Sequence, residues 1–408
     1  MNDDLFVGKH VLMIVENLSV PFDRRVWREA CALREAGAAV SVICPRGKSY
    51  DTETKAEINA ISIYRYSLPL EGVASGSRFS VGSFLLEYFL ALTKTFCLSL
   101  RIYFRNRFHV IHVANPPDIF FLIGWCYKPF GVKFVFDHHD VCPEGYLDKK
   151  KEPKPDFLYH VQVLLEKLSF RTADIVISTN ESYKGIAVRR GGKNSESVFV
   201  VRNGPDENSW PKMVTQVNGK MGFNYLVGYI GVMAKLDGVD FVVRAADYVV
   251  NVARRKEVGF VLIGSGTSYG ELRELADSLS LTDNVCFTGR IPDGRVFEIL
   301  PSIDVGVSPD PPGLLNNIST MNKVMDYMWF GKPIVSFDLA ESRYSAQDSA
   351  IYVNQVSPVA VGKAILALLD DPEQRERMAA FGKHRVRSLT WQSSRKNLIS
   401  AYKYLWGI

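Results

Sequence analysis

The sequence predicts an α/β protein built from two Rossmann-like, doubly wound domains. Short apolar runs, of the length of buried parallel strands, alternate with segments long enough for helices. The alternation begins again after Pro205–Asn224, a stretch of proline, glycine and polar residues that is the predicted linker. A chain of 408 residues also exceeds what one hydrophobic core usually supports.

The first βαβ unit lies near the start of the chain. His10–Val15 is an apolar run, Arg24–Ala36 is a helical stretch that ends at Gly37, and Ala39–Cys44 is a second apolar run. This order of strand, loop, helix, glycine and strand predicts a buried parallel sheet. Further strands of this half are predicted at Val110–Val113, Phe134–Phe136 and Ile175–Ser178.

The second half repeats the pattern, which places one domain at residues 1–204 and the other at 205–387. Its predicted strands are Leu226–Ile230, Val258–Ile263, Val285–Phe287, Val305–Ser308 and Ile334–Phe337. Its predicted helices are about Val239–Asn251, Gly270–Ser278, Val296–Leu300 and Asn322–Phe330.

The composition excludes several classes of protein. With 47% hydrophobic and 23% charged residues the chain is not disordered. A net charge of +5 suits an anionic ligand or a membrane surface but is too small to predict nucleic-acid binding. The six cysteines lack zinc or redox spacings, so we expect free thiols in a reducing cytoplasm. The first residues do not resemble a signal peptide, which also favours a cytoplasmic location.

Phe84–Phe104 is a long apolar segment that Glu87, Lys94 and Arg101 interrupt at seven-residue intervals. Three charges within ~20 residues argue against a membrane-spanning helix. Two interpretations remain, a buried domain helix with a solvated stripe and a helix lying on a membrane surface. The second is favoured by the basic residues Arg101, Arg105 and Arg107, and by Lys149, Lys150, Lys151 and Lys154 in a later loop.

The loop after the first strand is where an open α/β sheet binds its ligands. It lacks GxGxxG, so ordinary dinucleotide binding is not expected. Asp23 is placed to cap the following helix. Arg24 and Arg25 oppose the helix dipole in the first turn, which favours a role in holding an anion or a carboxylate.

Asp137-His138-His139-Asp140 follows a predicted strand at its carboxyl end. A histidine with carboxylate neighbours at this position suits orientation of a sugar hydroxyl or proton transfer. A hydrogen-bonded structural histidine is the competing interpretation. Metal binding by both histidines is disfavoured, because adjacent side chains on extended backbone point in opposite directions.

Three features of the second half suggest a phosphate site. Gly231 and Gly264 each follow a predicted strand, where glycine allows the backbone to approach a phosphate, although glycine is also common there for steric reasons. Ser319 or Thr320 is predicted to cap a helix in which Lys323 and Asp326 lie about one turn apart. A capped helix start with a lysine binds phosphate, and the carboxylate can accept two ribose hydroxyls. The alternative is a surface helix with an internal Lys–Asp pair.

Several long motifs, in order, resemble the family 4 glycosyltransferases of the GT-B fold, especially bacterial enzymes of surface-polysaccharide synthesis. The resemblance covers nearly the whole chain. The motifs are Glu16–Ala30, Ala114–Asp118, Asp137–Glu144, Val201–Asp206, Gly228–Asp240 and Ser319–Leu339.

The resemblance implies two domains facing across a cleft and a retaining transfer from a nucleotide sugar without a required metal. The donor would bind the C-terminal domain and the acceptor the N-terminal domain, onto which a final helix within 388–408, around Trp391–Leu405, would pack. By similarity, Lys323 and the helix start Ser319–Asn322 hold the diphosphate, and Asp326 binds the ribose. One histidine of the DHHD segment, His139 in preference to His138, would face the transferred sugar. His138, His139, Asp140 and Lys323 are the candidate catalytic residues. Asp23, Arg24 and Arg25 lie on the acceptor side.

The chain departs from the family at three charged positions. The paired glutamates of the family fall at Ile318 and Asp326, and its arginine and lysine fall near Val232 and Asp237. Lys235 and Arg343 are the candidate replacements for diphosphate neutralisation. The expected donor is a UDP-sugar, with a GDP-sugar as the alternative, and the expected acceptor is a saccharide, plausibly polyprenyl-linked at the inner membrane face.

Two other functions remain open at this stage. A sugar-nucleotide epimerase would use the same double fold without forming a glycosidic bond. A catalytically weak homologue acting as a binding subunit would explain the altered carboxylate pair. A nicotinamide-dependent oxidoreductase ranks lower because GxGxxG is absent.

Overall fold

The structure, a computed structural model, describes residues 5–47, 50–67, 81–150, 152–211 and 219–408, with the backbone alone for 81–85. Lys151 of the predicted basic loop and residues 212–218 of the predicted linker lie outside these ranges. The chain divides into two compact units. Unit 1 comprises Met1–Leu147, Glu152–Val201 and Ser394–Ile408, and unit 2 comprises Asp148–Lys151 and Arg202–Ser393.

Within the described part of unit 1, one sheet is built from eight strands. They are β1 His10–Ile14, β2 Ala39–Pro45, β3 Lys55–Ile58, β4 Ile61–Tyr66, β5 Val110–Ala114, β6 Lys133–His138, β7 Ile175–Ser178 and β8 Val198–Val200. Their order is β3-β4-β2-β1-β5-β6-β7-β8, and the pairs are parallel apart from the antiparallel edge pair β3–β4. The order reverses between β1 and β5, as in a doubly wound sheet.

The helices of unit 1 cover the apolar strands. They are α1 Arg24–Glu35, α2 Val81–Arg105, α3 Phe121–Tyr127, α4 Cys142–Asp148, α5 Phe157–Thr172 and α6 Glu181–Arg189. Asp23 accepts hydrogen bonds from the backbone N–H groups of Arg25 and Val26, so it caps α1 as predicted.

Unit 2 has a sheet of six described strands. They are β9 Tyr225–Ile230, β10 Val258–Ile263, β11 Val285–Gly289, β12 Val305–Ser308, β13 Ile334–Phe337 and β14 Ala350–Val353. All five neighbouring pairs are parallel, in the order β11-β10-β9-β12-β13-β14. This is the 3-2-1-4-5-6 order of the Rossmann fold, with its switch point between β9 and β12.

The helices of unit 2 lie between these strands. They are α7 Val239–Asp247, α8 Tyr269–Ser278, α9 Asp293–Ile299, α10 Asn322–Trp329, α11 Ala340–Ala346, α12 Pro358–Asp370 and α13 Pro372–Arg385. The predicted helix Val239–Asn251 is α7 followed by a π-helical turn at Tyr248–Val252. Val227, Val243, Phe260 and Ile365 are among the fully buried residues of the core on one side of the sheet.

The last helix, α14, spans Trp391–Trp406, and its residues from Ser394 onward belong to unit 1. Tyr402 is fully buried there, and the ring of Trp406 contacts Phe6. Arg395 forms an ion pair with Glu35 at the end of α1. The C-terminal residues therefore complete the packing of unit 1.

The apolar segment Phe84–Phe104 forms most of α2. Ala91, Thr95, Ser99 and Ile102 are buried against the core of unit 1. These positions recur every three or four residues, which is the spacing of one helix face. Among the described residues, no helix is long and apolar enough to cross a membrane.

Candidate active site

In unit 2, a buried lysine lies at the switch point of the sheet. Lys323, in the first turn of α10, donates to both carboxylate oxygens of Asp310 at 2.7 and 2.9 Å. Asp310 comes two residues after β12 and also accepts from the Ser308 hydroxyl at 2.7 Å. The two side chains are 8% and 2% exposed, and the Tyr229 ring lies 5.3 Å from Lys323 Nζ. The cation is thus held in one position at the ligand-binding edge.

Glycines bring the backbone close together around this lysine. A Cβ atom on Gly231 would lie 3.2 Å from Lys323 Cε and 2.9 Å from the Tyr229 hydroxyl oxygen. Gly264 has a φ of +134°, and a Cβ there would lie 1.9 Å from the Gly231 carbonyl oxygen. Gly264 therefore lets the ends of β9 and β10 pack closely together. Gly231 leaves room for the side chain of Lys323.

The start of α10 differs from the prediction in its cap. The residue before the helix is Met321, which makes no side-chain capping bond, so the prediction that Ser319 or Thr320 caps α10 is wrong. The Thr320 hydroxyl instead accepts from Arg202 at 3.2 Å and lies 3.4 Å from a carboxylate oxygen of Glu341. The loop turns the Thr320 hydroxyl to neighbouring side chains rather than to the helix.

The other predicted donor residues lie around the same edge with different surroundings. Lys323 pairs with Asp310 and not with Asp326, so the predicted surface Lys–Asp pair within the helix is also wrong. Asp326 is half-buried, and Asn322 and Lys235 are exposed. Arg343 is exposed and donates to Asp338, with one nitrogen–oxygen distance of 2.8 Å.

A cavity of about 510 Å³ lies elsewhere in unit 2, towards the amino ends of β10 and β11. Phe223, Arg273 and Asp283 are among the residues that line it. Open α/β sheets bind ligands beyond the carboxyl ends of their strands. We therefore assign the candidate site to the edge that holds Lys323 and not to this cavity.

In unit 1, Arg25 forms a buried two-pronged contact with Asp137. Arg25 Nη2 and Nε lie 2.7 and 3.2 Å from the two Asp137 oxygens, and Nη1 donates to the Val201 carbonyl at 2.6 Å. Burial favours the neutral carboxyl group, but Arg25 and His139 outweigh it and hold the pKa of Asp137 well below its usual range. Arg25 is 6% exposed and holds the Asp137 carboxylate, which confirms the carboxylate-binding role predicted from its place in the first turn of α1. Of the predicted acceptor-side residues, Arg24 is the exposed one.

The two histidines of the DHHD segment point into different environments. His139 Nε2 lies 2.5 Å from Asp137 Oδ2 and 2.6 Å from Arg25 Nε, and the side chain is 15% exposed. His138 is fully buried beside Phe170 and Tyr183, with Nε2 3.3 Å from Glu166. The assignment of His138 to catalysis is therefore wrong, because its ring cannot reach a ligand.

Behind Asp137 lie two buried side chains that we did not predict as site residues. His112 Nε2 is 3.4 Å from both Glu29 Oε2 and Asp137 Oδ2. Burial and the charge of Asp137 raise the pKa of Glu29 well above its usual range, and burial lowers the pKa of His112. Glu29, His112 and Asp137 have the spacing of a metal site, but Arg25 already supplies the compensating positive charge there.

Asn115 and Asp118 hold the DHHD segment from the end of β5. Asn115 Oδ1 accepts from the backbone N–H groups of His139 and Asp140 at 2.6 and 3.1 Å. Its amide donates to Asp118 at 3.1 Å and to the Asp140 carbonyl at 2.7 Å. Asp140 itself is exposed. Burial and the nearby Glu166 charge raise the pKa of Asp118 to about 7.

Some of these residues left a signal in the sequence. His112 interrupts the apolar run of β5, and Glu29 interrupts the buried face of α1 between Val26 and Leu33. A titratable side chain within a buried run indicates a buried polar partner. Asp310 left no such signal, because it lies in a proline-rich loop that only the folded chain brings to Lys323.

Known proteins match both units. A family model described as a glycosyl transferase 4-like domain matches residues 23–204, and one described as glycosyl transferases group 1 matches residues 224–371. The D-inositol 3-phosphate glycosyltransferase of Thermomonospora curvata is 24% identical over 302 residues, which cover 69% of this chain and 68% of that protein.

Solved structures match nearly the whole chain. Sucrose-phosphate synthase from Thermosynechococcus elongatus has a TM-score of 0.75 at 17% identity, with 98% of this chain and 99% of that chain covered. The HepE protein of Anabaena in complex with UDP-glucose has a TM-score of 0.71 at 14% identity, with 97% and 99% covered. At these identities the likeness is one of fold.

The chain has two Rossmann-like units, each with polar side chains at the carboxyl ends of its strands. This is the architecture of α/β enzymes that use nucleotide sugars. The two family models together span most of the chain and name the reaction class, glycosyl transfer. The chain belongs to the group 1 glycosyltransferases, family 4, with the GT-B fold.

Proposed function

We propose that this glycosyltransferase moves a sugar from a UDP-sugar to a saccharide acceptor with retention of configuration. The observation that supports this most strongly is the buried Lys323–Asp310 pair beside Gly231 at the switch point of unit 2. A lysine fixed there offers a positive charge where a nucleotide diphosphate binds to a Rossmann fold. The UDP-glucose complex of the structurally similar Anabaena protein supports uridine over guanosine.

Lys323 and the backbone N–H groups at the start of α10 would bind the diphosphate, and Asp326, one turn further, would accept the ribose hydroxyls. Asn322 is exposed beside them, and Ser319 and Thr320 lie on the preceding loop. Gly231 leaves its strand end open to the phosphates. Lys235 and Arg343 are secondary candidates, and the contact of Arg343 with Asp338 weakens its claim.

Catalysis would come mainly from stabilising the departing nucleoside diphosphate. The anomeric carbon loses its bond to the phosphate oxygen and gains a bond to the acceptor oxygen on the same face. The proton of the acceptor hydroxyl goes to the departing phosphate oxygen. By the family resemblance, His139 contacts the transferred sugar, with Asp140 beside it and Arg24 towards the acceptor.

The diphosphate assignment can be tested without leaving a buried charge unpaired. Lys323→Met alone would leave the buried Asp310 carboxylate without its cation, which is destabilising. The variant to use is therefore Lys323→Met with Asp310→Asn. Calorimetric titration should show UDP binding about 10- to 100-fold weaker, as expected for a lost charge-assisted hydrogen bond. Lys363→Met, on the exposed side of α12, is the matched control and should bind UDP like the wild type. A folded double variant with wild-type affinity would refute the assignment.

The sugar can be identified by thermal shift with a panel of UDP- and GDP-sugars. A ligand that binds only the folded protein raises its melting temperature. We expect the largest shift with a UDP-sugar. A larger shift with GDP-sugars would overturn the choice of nucleotide.

We further propose that unit 1 lies on the cytoplasmic face of the membrane, where its acceptor is a polyprenyl-linked saccharide. One apolar face supports this. Phe104 and Phe89 on α2 are 84% and 63% exposed, and Trp125 on α3 and Phe130 after it are also exposed. Tyr103 of α2 contacts Phe130, which joins these helices into one surface. Arg101 and Arg105 are exposed on the same helix, as expected near anionic lipid.

Vesicle flotation tests this membrane surface. The wild type should float with vesicles of phosphatidylglycerol and phosphatidylethanolamine, and Phe89→Ser with Phe104→Ser should not. Val252→Ser, at a similarly exposed apolar residue of unit 2, is the control and should float. Equal flotation of all three proteins would refute the assignment of α2. Of the predicted basic loop, Lys149 is exposed and Lys154 pairs with Glu152 at 2.8 Å.

A further inference from the structure

We propose that His112 and Tyr402 are positioning residues, through which the C-terminal helix α14 fixes the proton arrangement around Asp137 and so the orientation of His139. The inference rests on the proposed contact of His139 with the transferred sugar. The geometry that supports it lies entirely within unit 1.

The first step concerns the contact between α14 and β5. The Tyr402 hydroxyl oxygen lies 2.8 Å from His112 Nδ1, and both side chains are buried. Burial raises the pKa of Tyr402 well above its usual range, so the phenol keeps its proton. Burial lowers the pKa of His112, so the ring is neutral. In the arrangement that we propose, the phenol donates to Nδ1, which leaves the single ring proton of His112 on Nε2.

The second step concerns where this Nε2 proton points. His112 Nε2 lies 3.4 Å from Asp137 Oδ2 and 3.4 Å from Glu29 Oε2. The opposite tautomer would direct a nitrogen lone pair at the Asp137 carboxylate, which is unfavourable in a buried site. Tyr402 on one side of the ring and Asp137 on the other therefore both favour the tautomer that presents an N–H group to Asp137.

The third step connects Asp137 to His139. The oxygen that faces His112, Oδ2, is also the one 2.5 Å from His139 Nε2. Arg25 Nε lies 2.6 Å from the same His139 nitrogen and 3.2 Å from Oδ2, so Asp137 and Arg25 together fix the orientation of the His139 ring. The charged and titratable groups that face this cluster are Asp23 before α1, Arg25 and Glu29 from α1, His112 from β5, Asp137 from β6, His139 after it and Tyr402 from α14.

The test uses Tyr402→Phe, which removes the hydroxyl and keeps the ring. His112 then loses one of the two contacts that favour this tautomer, so its N–H group is held less firmly towards Asp137. A carboxylate with a weaker donor orients the His139 ring less firmly, so the pH–rate profile of Tyr402→Phe should differ from that of the wild type. With the UDP-sugar that gives the largest thermal shift, kcat should fall about three- to tenfold, and KM for the donor should change less than about twofold.

Tyr127→Phe is the matched control. Tyr127 is also buried in unit 1 and its hydroxyl lies 2.9 Å from Ser99 Oγ, but it makes no described contact with the Asp137 group. Both variants should lose similar thermal stability, and Tyr127→Phe should keep the wild-type kcat and pH profile. Nitrogen chemical shifts of the His112 ring should report the Nε2–H tautomer in the wild type and in Tyr127→Phe, and a mixture in Tyr402→Phe.

His139→Ala, measured alongside, separates failure of this inference from failure of the proposed function. Wild-type activity of His139→Ala would overturn the role of His139 itself. An impaired His139→Ala variant, together with a wild-type rate and pH profile for Tyr402→Phe, would overturn only the positioning role. Unchanged His112 shifts in Tyr402→Phe would overturn it as well.

Discussion

Units 1 and 2 bury charge at the ends of their strands in different ways. In unit 1, Arg25 and Asp137 are 112 residues apart in sequence, and His112 and Tyr402 are 290 apart. In unit 2, Asp310 and Lys323 are separated by 13 residues. The group in unit 1 thus joins α1, β5, β6 and α14, whereas the pair in unit 2 belongs to one loop and the helix that follows it.

The difference indicates two uses of buried charge. A group assembled from distant elements forms only when the whole sheet and the last helix are in place, so it depends on the complete fold of unit 1. A local pair beside glycine-lined strand ends holds one cation ready for an anionic ligand. Buried pairs contribute little net stability, but removing one partner is strongly destabilising. The two units should therefore respond differently to loss of a charge.

The largest expected effect is that of Arg25→Met on stability. The change leaves Asp137 and Glu29 buried without their cation, which should lower the free energy of unfolding by about 3–5 kcal/mol. Urea unfolding followed by circular dichroism measures it. Arg24→Met, at the exposed neighbouring position, should change stability by less than about 0.5 kcal/mol. A small effect of Arg25→Met would break the comparison, because unit 1 would not depend on its buried charges.

A smaller effect is expected from the pH dependence of Asp118, another buried carboxyl group of unit 1. Its pKa is about 7 in the folded protein, above its ordinary value of 3.8. Because this folded-state pKa is raised, the stability that Asp118 contributes is fully present below about pH 3.8 and is lost as pH rises through 7. Asp118→Asn cannot titrate but keeps an oxygen to accept from Asn115. Between pH 5 and 8 the variant should gain about 2–4 kcal/mol relative to the wild type.

Urea unfolding of both proteins at pH 5, 6.5 and 8 tests this linkage. Glu152→Gln, at an exposed residue of unit 1, is the control and should follow the wild type at each pH. If the stability difference between Asp118→Asn and the wild type stayed constant with pH, Asp118 would not hold its proton in the folded state. The pH dependence would then have to come from other groups.

The fold could be predicted from the sequence wherever strands are buried on both faces. Ile175–Ser178, Val258–Ile263, Val305–Ser308 and Ile334–Phe337 are continuous apolar runs, and the structure has strands with these bounds. Strands β3, β4, β8 and β14 were not predicted, and three of them, β3, β8 and β14, lie at sheet edges. In β3, Lys55–Ile58, the side chains alternate between exposed and half-buried and form no apolar run. Hydrophobic patterning thus identifies central strands better than edges.

The candidate site could be predicted only where its residues are local. Lys323 and Asp23 were found because a helix start has a recognisable sequence. The pairing of Lys323 with Asp310 and of Arg25 with Asp137 was not predicted, since these contacts depend on which strand ends become neighbours in the sheet. For His138 and His139, the alternation along a strand predicts that the two side chains point in opposite directions. It does not predict which of them faces solvent.

The smallest expected effect sharpens the comparison within unit 2. Arg343 was a candidate for neutralising the diphosphate, but its guanidinium group is exposed and donates to Asp338. Exposed ion pairs are screened by solvent and contribute little, so Arg343→Ala should leave the melting temperature unchanged and alter UDP affinity by less than about twofold. Calorimetric titration of UDP into Arg343→Ala and into the Lys323→Met, Asp310→Asn variant compares the two losses of affinity. A loss of affinity as large as in that variant would mean that exposed Arg343 binds the diphosphate as well as buried Lys323. Diphosphate binding in unit 2 would then not depend on the buried cation alone.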